Sequence, residues 1–175
     1  MENIPKSFRT ILDQTSGLHP LSLVKITGQN SSLTRKFLFR LSTGEMIESV
    51  LMQEGNRTTA CLSSQVGCAM DCDFCATAEM GFQKNLSVGE IVDQFLFLQQ
   101  KSQKKITNVV FMGMGEPFLN YARVIKAADL LNESDGIDLG ARRITISTVG
   151  IIPRIKQFSK EGHRYKLAIS LNGTT

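Results

Sequence analysis

The sequence predicts an α/β fold in which a small, mostly antiparallel β segment precedes a parallel sheet of about four strands. Before residue 53, three strand-like runs follow one another and are separated by turn-forming residues. After residue 53, strand-like and helix-like runs alternate, which is the pattern of βαβ units and of a parallel sheet. We therefore expect two parts, an accessory segment over residues 1–52 and a core domain over residues 53–175.

The accessory segment begins with a predicted helical stretch over residues 7–13. Its strands are predicted over residues 21–27, 34–41 and 45–52. In the second strand Phe37, Phe39 and Leu41 alternate with other residues, as expected for a strand with one buried face. Residues 42–44 (STG) supply a turn into the third strand, so the three strands are expected to form an antiparallel meander.

The core domain has four predicted strands, over residues 57–63, 106–112, 143–147 and 166–171. Ser87 and Glu90 have the spacing of a capping box, which predicts that a helix begins there. Further helices are predicted near residues 120–131 and 153–158. No helix-like run follows the fourth strand, although helices normally cover a parallel sheet, so we expect a chain without its C-terminal part. The alternative is a small complete domain with an exposed terminal strand.

The composition excludes several classes of protein. Hydrophobic residues make up 42% and charged residues 21%, which is typical of a globular protein and not of a disordered chain. No apolar run approaches the ~18 residues of a membrane span, and the polar first ten residues do not resemble a secretory signal. We therefore expect a cytoplasmic protein with no membrane partner. Four cysteines in such a protein indicate metal binding or catalysis, not disulfides.

The charge distribution is compatible with a nucleic acid partner. The net charge is +4, with −3 over residues 61–90 between flanks of +2 over residues 1–60 and +5 over residues 91–175. Three basic pairs stand out, Arg35-Lys36, Lys104-Lys105 and Arg142-Arg143. Each pair alone is typical of a solvated surface, whereas together the pairs offer contacts to phosphates.

The strongest motif is a CxxxCxxC run formed by Cys68, Cys72 and Cys75 in a glycine-flanked loop. Three thiolates this close repel one another unless a cation holds them, and sulfur ligands favour zinc, copper(I) or an iron–sulfur cluster. A four-iron cluster held by three cysteines leaves one iron open, as a catalytic metal requires. The alternative is a structural zinc site with Cys61 as the fourth ligand.

Other candidate residues lie at the ends of the predicted parallel strands. Gly115 and Glu116 belong to residues 113–117 (GMGEP), where glycines permit close approach of a ligand and a carboxylate suits an ammonium group. Ser147 and Ser170 lie at the ends of the third and fourth strands, where ligands of parallel sheets bind. The competing interpretation of each is a turn residue, with an exposed side chain in the case of Glu116.

Glu48 lies on the third meander strand, on the same face as Met46, Val50 and Met52. A carboxylate among apolar neighbours has a raised pKa and suits proton transfer. An exposed strand carboxylate without a catalytic role is the alternative.

Four segments in order resemble the RlmN-type dual-specificity RNA methyltransferases of the radical S-adenosylmethionine superfamily. They are residues 61–75 (CLSSQVGCAMDCDFC), 76–86 (ATAEMGFQKNL), 108–117 (NVVFMGMGEP) and 143–153 (RITISTVGIIP). The resemblance implies a partial radical-SAM (β/α) barrel, a [4Fe-4S] cluster on Cys68, Cys72 and Cys75, and S-adenosylmethionine as second cofactor. It also implies methylation of adenine C2 in 23S rRNA and, beside the anticodon, in tRNA, with an electron donor such as flavodoxin and its reductase.

The same resemblance implies roles for individual residues. Gly115 and Glu116 would bind the amino end of S-adenosylmethionine, and Ser147, Ser170, Leu171 and Asn172 would contact the cofactor. Asn172 stands where the family usually has His, and an Asn side chain cannot titrate.

Two further roles follow from the resemblance alone. Glu48 would be a proton acceptor, and Cys61 would form a transient disulfide with a methyl-carrying cysteine near the C-terminus. No cysteine follows Cys75, so we expect this chain alone to be inactive in methyl transfer. Two other functions stay open. One is the related class that methylates C8 of the same rRNA adenine, and the other is a non-enzymatic, zinc-stabilised RNA-binding module.

Overall fold

The computed structural model describes residues 5–15, 19–29 and 31–171. The helices are α1 (Lys6–Thr15), α2 (Val88–Lys101), α3 (Tyr121–Asn132) and α4 (Ile152–Lys160). The strands are β1 (Leu21–Thr27), β2 (Thr34–Leu41), β3 (Met46–Glu54), β4 (Arg57–Cys61), β5 (Gln65–Val66), β6 (Lys84–Asn85), β7 (Asn108–Phe111), β8 (Ile144–Thr148) and β9 (Lys166–Ile169). Short 3-10 turns cover Ala78–Met80, Pro117–Asn120 and Ala141–Arg143.

A single seven-stranded sheet, in the order β1-β2-β3-β4-β7-β8-β9, contains both predicted parts of the described chain. β1 to β4 are antiparallel neighbours, which confirms the meander, and β4, β7, β8 and β9 are parallel. The α/β class is thus confirmed, with β4 as the strand that joins the two arrangements. The predicted boundary between the two parts, after residue 52, falls within β3, and the sheet has no break there. The division into two domains stays a prediction.

The predicted β4 is two residues longer than the observed strand. It was expected to reach Ser63, but the Ser63 amide leaves the ladder and donates to the Gln94 side chain at 2.8 Å. The capping box is present as predicted: the Ser87 hydroxyl accepts from the Glu90 amide at 3.2 Å, and the Glu90 carboxylate accepts from the Ser87 amide at 2.6 Å.

One face of the sheet packs against helices, and the other, which we call the open face, does not carry the core. Phe37, Phe39, Ile47 and Leu51 are fully buried on the helix side with residues of α2. Because side chains alternate along a strand, Glu48 and its β3 neighbours in alternate positions lie on the open face. Among the described helices, none is long and apolar enough to cross a membrane.

Gln94 on α2 makes a network of buried polar contacts between this helix and the sheet. Its side-chain oxygen accepts from the Ser49 hydroxyl at 2.7 Å and from the Ser63 amide at 2.8 Å. Its side-chain nitrogen donates to the carbonyls of Ser63 at 3.0 Å and Glu90 at 3.1 Å. Since Gln94 and Ser63 are completely buried, no water can replace these bonds.

We expect Gln94→Leu to lower the free energy of unfolding by about 2–4 kcal/mol, because it leaves the buried Ser63 amide and Ser49 hydroxyl without partners. Urea unfolding followed by circular dichroism measures this. The matched control is Gln100→Leu on the exposed side of α2, which should change stability by less than ~0.5 kcal/mol. Equal losses in the two variants would contradict the assigned role of Gln94.

Candidate active site

A short ribbon of β5 and β6 closes the base of the cysteine loop. Gln65 pairs with Asn85 and Val66 with Lys84, so the loop between the two strands leaves and returns at the same point. Gly67 has φ +68°, and a Cβ built on it would lie 1.7 Å from the Gly81 carbonyl oxygen. Only glycine fits there, because the two ends of the loop are in backbone contact.

The three loop cysteines face the carboxyl ends of the parallel strands across a pocket of about 230 Å³. This pocket is lined by Cys68, Cys72 and Cys75 on one side and by Gly115, Glu116, Ser147 and Ser170 on the other. The structure therefore brings together most of the residues predicted to hold a metal or cofactor. Their individual roles stay predictions.

Two more predicted cofactor contacts lie at the end of β9. Leu171 is exposed and lines an adjoining hollow with Cys72, Phe74 and Ser170. Asn172 lies outside the described residues.

Glu116 is a buried carboxylate and not an exposed turn residue, with 2% of its surface accessible. One carboxylate oxygen accepts from the Phe118 amide and the other from the Val149 amide, both at 2.9 Å. Its own amide donates to the Gln65 side chain at 2.8 Å. In the described part of the chain Glu116 has no ion-pair partner. A buried carboxylate that lacks a cation is suited to an ammonium ligand.

The glycines of the 113–117 segment serve contacts within the protein. Gly115 has φ +93°, and an added Cβ would lie 2.4 Å from the Gln65 Cβ. An added Cβ on Gly113 would lie 2.7 Å from the Ser63 hydroxyl. We expected these glycines to allow close approach of a ligand, and the structure shows that they allow close approach of residues 62–65.

Ser147 joins two parallel strands through its hydroxyl, which donates to the Phe111 carbonyl at 2.7 Å. The hydroxyl oxygen keeps lone pairs that can accept from a ligand in the pocket. The amide of Ser170 donates to the Thr148 carbonyl at 2.9 Å, which extends the β8–β9 pairing to the edge of the pocket.

Glu48 lies in a second hollow, of about 250 Å³, which is next to the cysteine loop on the open face. The lining residues are Leu38, Met46, Glu48, Ala76, Thr77, Met80 and Met114. The Glu48 carboxylate is 40% exposed and pairs with Lys36 at 3.1 Å, and the Glu48 amide donates to the Met114 sulfur at 3.3 Å. Glu48 is thus near the cofactor pocket but not among the residues that line it.

Cys61 is buried on β4, opposite Val50 of β3, and therefore points to the open face. Burial raises the pKa of its thiol to about 11, against a smaller lowering by the Met112 backbone. All four cysteines are free, so the disulfide that the resemblance implied is not supported for this chain. Its expected partner would have to follow Cys75, where the sequence has no cysteine.

The donor set fits an iron–sulfur cluster better than a zinc ion. Among the described residues, no three His, Cys, Asp or Glu side chains are arranged to hold one metal ion. Cys61 is also absent from the lining of the cysteine pocket, which favours a three-cysteine site over the four-cysteine zinc site. In a cubane cluster each cysteine binds a different iron, so the three sulfurs need not converge on one point. Burial, and to a smaller extent the nearby Cys72, Glu116 and Cys75, raise the pKa of the Cys68 thiol.

Several supporting residues escaped the sequence analysis. Gln65 holds the Glu116 amide, and the Asn120 side chain donates to the carbonyls of Ser64 and Leu86, both at 2.8 Å. Lys36 was predicted as a phosphate contact and not as the partner of Glu48. The polar run Ser63-Ser64-Gln65, which follows directly after the predicted strand and Leu62, was the one signal available in the sequence.

Comparison with known proteins identifies the class. Residues 62–174 match the family model of the radical SAM superfamily, and the chain belongs to this family. A crystal structure of a radical SAM methyltransferase from Sphaerobacter thermophilus superposes with a TM-score of 0.88 at 42% identity, over 96% of this chain and 50% of that chain. Family membership implies a [4Fe-4S] cluster and S-adenosylmethionine as cofactors.

The curated relatives narrow the class and confirm the RlmN-type resemblance. A probable dual-specificity RNA methyltransferase RlmN of Dictyoglomus thermophilum is 44% identical over 98% of this chain. A protein of the same name from Thermotoga maritima is 47% identical over the whole chain. The chain spans about half the length of these relatives, 50% and 51% respectively.

We expect iodoacetamide at neutral pH to modify Cys68, Cys72 and Cys75 in the folded, metal-free chain and to spare Cys61. With a pKa of about 11, only about one Cys61 thiol in several thousand is ionised at pH 7.5, and it is buried as well. Peptide mass spectrometry reads the modified positions. In urea all four cysteines should react, and modification of Cys61 as fast as Cys75 in the folded chain would contradict the assigned burial.

Proposed function

We propose that this chain is the cofactor-binding part of a radical S-adenosylmethionine methyltransferase that acts on C2 of adenine in 23S rRNA and tRNA. The observation that supports this best is the pocket in which three loop cysteines face the buried carboxylate of Glu116. The family and the names of the curated relatives support the RNA methyltransferase class. The C2 position and the two RNA substrates are our extension of that class to this chain.

The chemistry explains why such a protein needs these cofactors. Adenine C2 is an electrophilic carbon without a nucleophilic lone pair, so ordinary polar methyl transfer fails there. When bound, the cluster and S-adenosylmethionine supply one-electron reduction and a carbon radical. A one-electron donor such as flavodoxin with its reductase is therefore part of the proposal.

The residues of the first hollow bind the cofactors, and a residue of the second hollow takes part in proton transfer. Cys68, Cys72 and Cys75 hold the cluster, and Glu116 holds the ammonium group of S-adenosylmethionine, because it is a buried carboxylate with two backbone amides as its donors. Ser147 and Ser170 line the far wall, where hydroxyls orient polar groups of the cofactor. In the second hollow, Glu48 is the proton acceptor, since its carboxylate is reachable from the open face beside Met46 and Met80.

The methyl-carrying residue of this family is a further cysteine downstream, and none follows Cys75. We therefore propose that this chain alone binds the cofactors and cleaves S-adenosylmethionine but does not methylate RNA. The zinc-module alternative loses support because Cys61 does not join the other cysteines.

We expect the anaerobically reconstituted chain to be brown and to lose most of its iron–sulfur absorbance in Cys68→Ala, because a three-cysteine site has no spare ligand. Cys61→Ala is the matched control and should keep the absorbance. Under strong reductant the wild-type chain should release 5′-deoxyadenosine from S-adenosylmethionine, measured by chromatography. A colourless chain, or equal loss of iron in both variants, would contradict the proposal.

A further inference from the structure

The hollow that contains Glu48 is flanked by three exposed basic residues of β1 and β2, Lys25, Lys36 and Arg40, which we call the cationic row. In the strand register Lys25 is opposite Leu38 and Arg40 is opposite Met46, and both Leu38 and Met46 line the hollow. Paired residues of neighbouring strands point to the same face of a sheet. The cationic row therefore lies on the open face, next to the hollow.

The spacing of the row follows from the strands. Lys36 and Arg40 are four residues apart on β2, which separates their Cα atoms by about 13 Å. Lys25 lies on β1 beside the middle of this interval, displaced by about 5 Å across the sheet. The row thus follows the β1–β2 side of the hollow, from the level of Met46 at Arg40 to the level of Val50 at Lys36.

The charges of the row are largely uncompensated within the described chain. Lys36 pairs with Glu48, and no described carboxylate forms an ion pair with Lys25 or Arg40. Arg35, the sequence neighbour of Lys36, has a different environment. It is buried, donates to the Lys101 carbonyl at 2.7 Å and lies over the Phe37 ring on the helix side. Alternation along β2 therefore directs Lys36 and Arg40, but not Arg35, to the open face.

We propose that the cationic row is a docking surface for the phosphate backbone of the RNA substrate, which it guides along the side of the hollow containing Glu48. This inference rests on the proposed function and names where its substrate binds. Exposed Lys and Arg side chains contact phosphates and fix the register of a nucleic acid without reading its sequence. Lys25, Leu38 and Glu48 are aligned across β1, β2 and β3. An RNA backbone held by Lys25 and Arg40 therefore runs beside the hollow, from which its bases can reach Glu48, the proton acceptor of the proposed reaction.

The test is a salt titration of RNA binding by the full chain. The probe is a fluorescein-labelled RNA hairpin with an unpaired adenine in its loop, and Kd is measured by anisotropy over about 50–200 mM KCl. The variant Lys25→Ala/Arg40→Ala removes two charges of the row and leaves Lys36, which contacts Glu48. The control Lys156→Ala/Lys160→Ala removes two exposed charges of α4, whose Phe158 packs into the core on the helix side of the sheet.

We expect the row variant to raise Kd about tenfold or more at low salt and to reduce the slope of log K against log [KCl] by about 1.4–1.8, as for two lost phosphate contacts. The Lys156/Lys160 control should keep the wild-type slope. A charge-preserving Lys25→Arg/Arg40→Lys variant should also bind as wild type, which separates charge from folding. Circular dichroism verifies that all variants are folded.

Three results would overturn the docking surface: equal weakening in both alanine variants, no weakening in the row variant, or no RNA binding by the wild-type chain. A competition with inorganic phosphate separates a backbone surface from a site for free anions. Phosphate should displace RNA no better than KCl of equal ionic strength, and stronger displacement would contradict the proposal. The proposed function is tested by a different experiment, the reconstitution assay. If it fails, the chain forms no iron–sulfur cluster and releases no 5′-deoxyadenosine, whatever the RNA titration shows.

Discussion

Residues 62–65 run from the end of β4 into β5 and are buried from water, and the need to satisfy their polar groups organises the site. The Ser63 hydroxyl donates to the Glu48 carbonyl at 2.5 Å and accepts from the Met114 amide at 2.8 Å. The Gln65 side chain accepts from the Glu116 amide. Leaving any one of these groups buried without a partner would lower the free energy of unfolding of the protein by about 1–3 kcal/mol. The segment therefore fixes the meander, helix α2 and the loop after β7 in one arrangement.

This arrangement connects the two hollows of the site. Met114 contacts the buried 62–65 segment and also Glu48 of the second hollow. Its carbonyl accepts from the amides of Ser64 and Gln65, and its sulfur accepts from the Glu48 amide. The same loop continues to Glu116. The Glu116 carboxylate accepts a hydrogen bond from the amide of Val149, which directly follows β8. The position of Glu48, the proposed proton acceptor in the second hollow, is thus linked by hydrogen bonds to the proposed ammonium site in the first.

Local patterns in the sequence predicted the elements well. Alternation at Phe37, Phe39 and Leu41 predicted β2 with its bounds, and the capping-box spacing of Ser87 and Glu90 predicted the start of α2. These features depend on neighbours within a few residues. The cysteine motif was equally visible, because three ligands within eight residues need no knowledge of the fold.

Contacts between distant residues could not be predicted in this way. The Lys36–Glu48 ion pair depends on the register of β2 and β3, and the burial of Arg35 depends on where α2 ends at Lys101. The space beside Gly115 is limited by Gln65, fifty residues earlier in the chain, and no local pattern in residues 113–117 indicates this contact. The hydrogen bond from the Glu116 amide to the Gln65 side chain could not be predicted either, because neither residue type indicates a partner fifty residues away.

The central claim is that the loop cysteines and Glu116 form one cofactor pocket. Electron paramagnetic resonance of the reduced, reconstituted chain during titration with S-adenosylmethionine tests it most directly, because the spectrum changes when the cofactor reaches the cluster. We expect Glu116→Gln to need about tenfold or more S-adenosylmethionine for the same change, as for loss of a charge-assisted hydrogen bond. Glu79→Gln, on the exposed turn of the cysteine loop, is the matched control and should titrate as wild type. An unchanged titration in Glu116→Gln, with the cluster fully loaded, would contradict the account.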